Sequence, residues 1–272
     1  LSNTIFVDNT ASSDVASQYA SILDGSICIS TPNKIATSSS YEEYRSLKAI
    51  ARKRGVLFQY ETNVGAGLPV ISTLNDLIVS GDRIQRIEAV LSGSLSYIFN
   101  NFVPGRRFSE IVREAKNLGF TEPDPREDLL GLDVRRKLVI LAREAGLAIE
   151  PSQVAMESFL PEACVQADGV DAFFSALEKA DALFEQRIQA AVASGKVLRF
   201  VASMEQQEAK ISLQEVDVQH PFYQLSGSDN MIVFTSERYK ERPLVVRGPG
   251  AGAEVTAAGV FSEVIKIGNY LS

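Results

Sequence analysis

The sequence predicts a chain that begins as a parallel α/β sheet and continues as a mixed or antiparallel α+β region. Three apolar, β-prone runs occur near its start, at residues 4–7, 26–30 and 56–60. They alternate with helical patterns, and this spacing is typical of parallel strands joined by helical crossovers. Three later runs alternate between apolar and polar positions, as antiparallel strands do, at residues 197–203, 209–218 and 231–236.

Helices are expected between the early strands. The first covers residues 13–23, and the second covers residues 41–54 and ends at Gly55. Parallel sheets bind ligands at the carboxyl ends of their strands. The segments that follow the three strands are therefore expected along one edge of the sheet, namely Asn9-Thr10-Ala11, Asn33-Lys34 and residues 61–69.

Residues 61–69 read ETNVGAGLP and lead into a helix that is expected to begin near Pro69. The small residues would let backbone groups approach a ligand closely. The same pattern also suits a plain connection between a strand and a helix, and the sequence leaves both interpretations open.

The middle of the chain contains a strand, a polar turn and several helices, at residues 84–91, 92–96, 108–118 and 167–194. Near the end, a strand at residues 243–247 is followed by the turn GPGAGAE and by a helix from Val255. A glycine-rich turn before a helix suits a phosphate group. It matches neither GxGxxG nor a Walker motif, so a purely structural turn is the alternative.

Composition excludes several classes of site. The net charge of −7 and the lack of a basic run argue against a nucleic-acid partner, and no apolar run is long enough for a membrane span. Cys28 and Cys164 stand alone, which excludes a disulfide framework and a zinc–cysteine site and suits a reducing compartment. The single histidine, His220, excludes a histidine-rich metal site.

Residues 119–137, GFTEPDPREDLLGLDVRRK, run from an acidic loop into an amphipathic helix. On a wheel of about 100° per residue with Leu130 at zero, Val134 lies within about 80° on the apolar stripe, and Lys137 lies about 20° to the other side. Lys137 is therefore expected on the buried face, where an ammonium group needs a partner or a cavity. The alternative is an ordinary i to i+4 ion pair with Asp133, which would stabilise the helix by about 0.2–0.5 kcal/mol.

Glu122 and Asp128 precede this helix or lie at its first turn. They would complement the helix dipole, with Asp128 as a capping residue, or they would form a cage for the ammonium group of a small substrate. Pro123 and Pro125 stiffen the loop between them, which limits the entropy that is lost on binding.

The same stretch resembles the signature of homoserine dehydrogenase, especially the C-terminal part of bifunctional aspartokinase–homoserine dehydrogenase. ETNVGAGLPVI, LSGSLSYIFN, TPNK and RGPGAGAEVTAAGVF are similar to other blocks of that family. The resemblance covers nearly the whole chain. It implies an NAD(P)-dependent interconversion of L-homoserine and L-aspartate 4-semialdehyde, a step in threonine and methionine biosynthesis.

The resemblance also implies roles for particular residues. Lys137 would exchange a proton with the reacting oxygen, Lys34 would lie near the nicotinamide, and Asp133 would orient the substrate or Lys137. Glu122 and Asp128 would bind the substrate amino group. The cofactor, NADP or NAD, would contact Asn9, Thr10, Ala11, Lys34 and Gly252. A monovalent cation such as Na⁺ would bind the carboxylate of Glu61 and the backbone carbonyls of Val64, Ala66 and Leu68.

The resemblance further implies a truncated Rossmann-like parallel sheet, with an inserted α+β domain that binds substrate and forms the dimer. The expected segments are a partial nucleotide-binding domain at 1–68, the inserted domain at 69–247 and a return segment at 248–272. The GxGxxG turn of the family is missing, so the chain is expected to be part of a longer one. The resemblance to the bifunctional form implies a parent that is fused to an aspartokinase domain. A homodimer or higher homo-oligomer in the cytoplasm, or in a plastid for a plant-type parent, is the expected form.

Two alternative functions stay open. The chain could be another NAD(P)-linked dehydrogenase that acts on an amino-acid aldehyde, or a non-catalytic dimerisation or interaction fragment. Oxidation of homoserine would separate the first alternative from homoserine dehydrogenase, and titration with NADP would test the second.

Overall fold

The computed structural model describes residues 3–272, which form nine strands, thirteen α-helices and three short 3₁₀ turns. The strands are β1 (Ile5–Val7), β2 (Cys28–Ser30), β3 (Phe58–Gln59), β4 (Ile84–Val90), β5 (Ala155–Met156), β6 (Val197–Glu205), β7 (Glu208–Val216), β8 (Asp229–Ser236) and β9 (Leu244–Pro249). The early helices are α1 (Ser13–Ala16), α2 (Tyr19–Asp24), α3 (Ile35–Ser38), α4 (Tyr41–Arg54), α5 (Val70–Val79) and α6 (Gly93–Asn101). The later helices are α7 (Phe108–Asn117), α8 (Arg126–Leu129), α9 (Leu132–Glu144), α10 (Glu162–Val165), α11 (Gly169–Lys179), α12 (Asp181–Ala193) and α13 (Ala253–Leu271).

A first sheet contains three strands in the order β1-β2-β3, and both of its pairings are parallel. Its registers place Ile5 beside Cys28 and Ile29 beside Phe58. This confirms the parallel α/β prediction for the start of the chain. The carboxyl ends of the strands therefore share one edge, as the strand–helix alternation requires.

A second sheet contains six strands in the order β5-β7-β6-β4-β8-β9. All of its pairings are antiparallel except the short β5–β7 pair. The mixed α+β prediction is therefore confirmed. Strand β4 lies between β6 and β8, which the chain order alone does not show, because β4 precedes both by more than a hundred residues.

Helix α9 lies in the main core, which continues from the first sheet to the second. Five consecutive residues of α9, numbers 138–142, are fully buried. The helix contacts α3, α5, β6 and β7. It therefore packs both on the second sheet and on α3, which directly follows Lys34. Within the described part of the chain, every helix is too short or too polar to cross a lipid bilayer.

Two sequence predictions about short segments are wrong. The single helix expected at residues 13–23 is two helices, because the amide of Gln18 bonds to the carbonyl of Val15 in a tighter turn. The polar turn expected at residues 92–96 is instead the start of α6. The hydroxyl of Ser92 accepts a hydrogen bond from the amide of Leu95 at 3.2 Å, so Ser92 acts as the N-cap.

The helix expected through Leu130 to Lys137 is also interrupted. Gly131, with φ of 69°, separates α8 from α9, so Leu130 does not belong to the helix that carries Lys137. A left-handed residue ends a helix readily only when it is glycine. The predicted inward orientation of Lys137 is nevertheless confirmed, since the residue is 9% exposed.

Replacing Gly131 with alanine is expected to destabilise the fold more than the same change at an open left-handed glycine. A Cβ at Gly131 would lie 2.8 Å from the ring of Phe200, whereas a Cβ at Gly55, with φ of 65°, would meet no atom within 4 Å. Gly55→Ala should cost about 1–2 kcal/mol of unfolding free energy through its backbone conformation alone. Gly131→Ala should cost about 1–3 kcal/mol more through overpacking. Urea unfolding of both variants measures the difference, and equal losses would contradict the steric explanation.

Candidate active site

Lys137 is held on the inner side of α9 by two acceptors. Its ammonium group donates to the backbone carbonyl of Leu91 at 2.8 Å and pairs with Asp133 Oδ2 at 2.8 Å. The Leu91 carbonyl lies at the end of β4, just before α6. The end of a strand and the first turn of α9 thus fix the same ammonium group. The i to i+4 pair exists, and it joins the buried ammonium group of Lys137 to the half-exposed carboxylate of Asp133.

Asp133 also pairs with Lys34, at 3.4 Å, so one carboxylate lies between two ammonium groups. Enclosure favours the neutral acid, but Lys137 and Lys34 together hold the pKa of Asp133 below its ordinary value. Removal from water lowers the pKa of Lys34; Asp133 opposes this shift and Lys137 adds to it. The sequence placed Lys34 and Asp133 in the same site, and the structure brings them together across about one hundred residues.

Arg143 joins α9 to the segment that follows Lys34. Its guanidinium donates to the carbonyls of Thr37 at 2.8 Å and Ser39 at 2.7 Å, and its side chain is fully buried. Lys34 precedes α3 directly, so these bonds tie the Lys34 segment to the helix that carries Asp133 and Lys137. Sequence reasoning missed Arg143, because a single arginine in a helix gives no sign of its distant partners.

Asp128, in α8, is linked by a hydrogen bond to the loop that contains Glu122. Asp128 Oδ2 accepts a hydrogen bond from the backbone amide of Glu122 at 2.8 Å, and Oδ1 accepts one from the hydroxyl of Ser94 at 2.8 Å. The side chain of Asp128 does not cap its own short helix, α8. The capping alternative is therefore wrong for Asp128, and its carboxylate instead joins the loop to the N-terminal turn of α6.

These side chains converge on one cleft of about 720 Å³. Glu122, Asp128, Asp133 and Lys137 all line it, together with Ser94 and the glycine-rich turn before α13. Lys34 does not line this cleft, but its ammonium group pairs with Asp133, which does. Glu127 and Arg136 line the cleft as well, so its walls carry four carboxylates, one guanidinium and one buried ammonium group. This excess of negative charge suits a small substrate that carries a positive charge and an oxygen that must gain or lose a proton.

A second cleft of about 610 Å³ lies at the carboxyl edge of the first sheet. Asn9, Pro32 and the first turns of α13 line it, and Gly252 lines both clefts. Thr10 and Ala11 lie on the same exposed turn as Asn9 but line neither cleft. The two clefts thus adjoin at Gly252, where no side chain caps the nineteen-residue helix α13. Free amides at a helix start suit a phosphate group.

The expected cation residues lie in one loop, and most of that loop is buried. The Glu61 carboxylate accepts hydrogen bonds from the amides of Ile71 at 2.6 Å and Ser72 at 2.9 Å, so it already caps α5. The Leu68 carbonyl accepts one from the amide of Val70 at 2.9 Å. Val64 and Ala66 are buried. In residues 3–272 no cluster of three His, Cys, Asp or Glu side chains could hold a metal.

Sequence reasoning missed Ser94 as well, although it lies in the quoted block LSGSLSYIFN. A hydroxyl in the first turn of α6 could have been recognised once the helix start at Gly93 was known. The Leu91 carbonyl could not be found from the sequence, because every residue has a backbone carbonyl and its residue type does not mark it as an acceptor. Both depend on β4 ending beside α9, which is a tertiary arrangement.

Comparison with known proteins relates the chain to one enzyme family. The family model for homoserine dehydrogenase matches residues 69–265. The chain is 48% identical over 272 residues to the chloroplastic bifunctional aspartokinase/homoserine dehydrogenase 2 of Arabidopsis thaliana, and spans 30% of its length. It is 46% identical over 271 residues to homoserine dehydrogenase of Schizosaccharomyces pombe, and spans 72% of that protein.

Two solved structures have the same fold. A Candida auris protein of unknown function superposes with a TM-score of 0.94 at 40% identity, over 98% of this chain and 76% of the other. A hyperthermophilic archaeal homoserine dehydrogenase in complex with NADPH superposes with a TM-score of 0.74 at 25% identity, over 97% and 70%. With a family model that covers most of its length and a relative of which it spans nearly three quarters, the chain belongs to the homoserine dehydrogenase family.

Proposed function

We propose that this chain carries the substrate half of a homoserine dehydrogenase, which interconverts L-homoserine and L-aspartate 4-semialdehyde with NADP or NAD. One observation carries the proposal: Lys137 and the two acids Glu122 and Asp128 line a single cleft that adjoins a second cleft at the carboxyl edge of a parallel sheet. The NADPH complex of the archaeal relative and the family membership support the cofactor class.

The acids account for substrate binding. The substrate amino group is a cation at neutral pH, and Asp128 and Glu122 offer carboxylates at the cleft wall. Asp128 is positioned by Ser94 and by the Glu122 amide, so its orientation is set before the substrate binds. Binding energy at the amino group would hold the hydroxyl or aldehyde end toward Lys137.

Lys137 accounts for proton transfer. When bound, the nicotinamide cofactor supplies or accepts the hydride at the carbon atom. In the reductive direction the aldehyde oxygen gains negative charge, and the Lys137 ammonium stabilises this charge and delivers the proton to the oxygen. The Leu91 carbonyl and Asp133 keep the ammonium in place during this step. Lys34 pairs with the other oxygen of the Asp133 carboxylate, so Asp133 lies between the two lysines.

The residues near the second cleft fit a dinucleotide. Asn9 and Gly252 lie at its wall, and the uncapped amides of α13 offer donors for a phosphate group. Thr10 and Ala11 would join this contact from the exposed turn that follows Asn9. Lys34 would approach the nicotinamide from the side of Asp133.

A monovalent cation is part of the same proposal. Glu61 and the carbonyls of Val64, Ala66 and Leu68 would provide oxygen ligands, which hard cations such as Na⁺ prefer. Each oxygen has more than one lone pair, so the hydrogen bonds that Glu61 and Leu68 already accept leave room for a shared cation. Comparing turnover in sodium and tetramethylammonium salts tests this requirement.

The wider setting is also proposed. Segments 1–68, 69–247 and 248–272 would act as partial nucleotide-binding domain, substrate and dimerisation domain, and return segment. The plant relatives are longer bifunctional proteins, which supports a fusion to aspartokinase in the parent protein and, for a plant-type parent, a plastid location. Otherwise a cytoplasmic homodimer or higher homo-oligomer is proposed.

The test is a homoserine oxidation assay that follows NADP reduction, run on this chain and on a form extended at its N-terminus. Turnover by either form supports the proposal. Absence of both turnover and NADP binding in forms with folded circular dichroism spectra would support the non-catalytic alternative instead. Turnover with another amino-acid aldehyde but not with aspartate semialdehyde would support the second dehydrogenase alternative.

Replacing Asp128 with asparagine is expected to raise the homoserine KM by about tenfold to a hundredfold, the size of a lost charged hydrogen bond of about 1.5–3 kcal/mol. The KM for NADP should change by less than about twofold, because Asp128 does not line the cofactor cleft. Glu162→Gln removes an exposed carboxylate outside the cleft and serves as the control. An unchanged homoserine KM would remove Asp128 from the proposed ammonium site.

A further inference from the structure

Asn230, the second residue of β8, has a side-chain amide without a partner. The residue is completely buried, and neither Oδ1 nor Nδ2 has a hydrogen-bond partner in residues 3–272. A buried carboxamide with both ends unpaired is costly, because water satisfied these atoms before folding. An apolar side chain at this position would not carry this cost. The amide therefore needs an explanation beyond packing.

The amide lies directly against the glycine-rich turn that lines the candidate active site. A Cβ at Gly250 would lie 1.9 Å from Cγ of Asn230 and 2.0 Å from its Nδ2, so only glycine can occupy this place. The backbone of Asn230 pairs with Gly248, two residues earlier in the turn. Gly250 itself lines the substrate cleft, and the turn continues to Gly252, which is shared with the second cleft.

The position of Asn230 limits what its amide can reach. Because the side chain has no exposed surface, it does not touch a ligand in either cleft. The segment that lies against the amide is the turn around Gly250, whose backbone carries N–H and C=O groups. Gly250 has no Cβ, so its backbone has more conformational freedom than that of any other residue.

We propose that Asn230 is a positioning residue for the glycine-rich turn, and that its carboxamide bonds to the turn backbone in the arrangement that the turn adopts with cofactor and substrate bound. This inference rests on the proposed function. The unpaired amide lowers the stability of the free chain, and the bonds that it forms on ligand binding favour the ligand-bound arrangement. Asn230 thus acts through the turn and not on the reacting atoms.

A comparison of two buried substitutions on β8 tests the proposal. Asn230→Leu removes the unpaired amide beneath the turn. Thr235→Val removes another buried polar group on the same strand, a hydroxyl that also lacks a hydrogen-bond partner in the described chain and lies outside both clefts. Thr235→Val is expected to keep or raise the thermal midpoint of the ligand-free chain, whereas the midpoint of Asn230→Leu also includes the cost of fitting a bulkier side chain against Gly250. Only Asn230→Leu should lower kcat, by about tenfold or more, a barrier increase of about 1.4 kcal/mol.

Thermal shift with NADP plus homoserine provides the second measurement. The midpoint increase that the two ligands produce should shrink in Asn230→Leu and stay unchanged in Thr235→Val, since only the first variant loses bonds that form on binding. An unchanged kcat together with an unchanged ligand response in Asn230→Leu would overturn the positioning role. If neither the unchanged chain nor its N-terminally extended form shows turnover or a ligand response, the proposed function is refuted, and the inference with it.

Discussion

Lys137→Met is expected to lower kcat for homoserine oxidation by about 10²- to 10⁴-fold, the usual contribution of a positioned proton donor or acceptor. Methionine keeps most of the apolar stem that packs on the inner face of α9 but removes the ammonium group. The homoserine KM should change little, because the proposed ammonium site at Asp128 and Glu122 is untouched. Steady-state kinetics on the form that shows turnover measures both constants.

The stability of the Lys137→Met variant should stay close to that of the unchanged chain. Asp133 is half exposed and regains water when its partner is lost, whereas the Leu91 carbonyl loses a buried bond worth about 1 kcal/mol. Lys196→Met removes a surface lysine that pairs with Glu215 and serves as the control. A Lys137→Met enzyme that retains a near-normal kcat would show that the proton passes through another group.

Asp133→Asn is expected to lower kcat by about tenfold to a thousandfold. The fall of kcat on the alkaline side of the pH–rate profile should also begin at a lower pH than in the unchanged enzyme. The carboxylate lies 3.4 Å from Lys34 and 2.8 Å from Lys137, so its charge is the one that offsets both ammonium groups. The pKa of Lys34 is already lowered by burial, and Asp133 is the group that raises it. Removing this charge should lower the pKa of Lys34 further.

The direction of the pH effect follows from the charge of lysine. A lysine is protonated below its pKa and becomes neutral as pH rises through it. If turnover needs the Lys34 ammonium, a lower pKa means that turnover is lost earlier on the alkaline side. A pH–rate profile of Asp133→Asn against Asp124→Asn tests this, since Asp124 binds Arg126 outside the cleft. Identical alkaline limbs would refute the coupling between Asp133 and Lys34.

Much of the architecture could be predicted from periodicity. The strand–helix alternation of the first sixty residues gave the parallel sheet, and Gly55 gave the end of α4, which the structure confirms. The errors lie where a local hydrogen bond or a left-handed glycine changes the chain direction. Ser92 begins a helix that composition had suggested was a turn, and Gly131 divides a helix that the wheel had treated as continuous.

The sequence predicted those site residues that are charged and lie on the apolar face of a helix. A lysine on the buried face of an amphipathic helix needs a partner, so Lys137 stood out before any fold was known. Only one of its two partners could be predicted from the sequence: Asp133 follows from helix spacing, whereas the Leu91 carbonyl does not. Ser94 and Arg143 were missed for the same reason, because their acceptors come from distant segments.

The sequence by itself determined the family, the class of most elements and the charged residues of the candidate site, because charge, periodicity and the signature stretch are properties of short segments. Only the tertiary structure decided which groups meet. It placed β4 beside α9, Lys34 beside Asp133, and Asn230 beneath Gly250. These contacts join residues far apart in the chain, and their distances are set by packing between elements, which no local pattern of residues specifies.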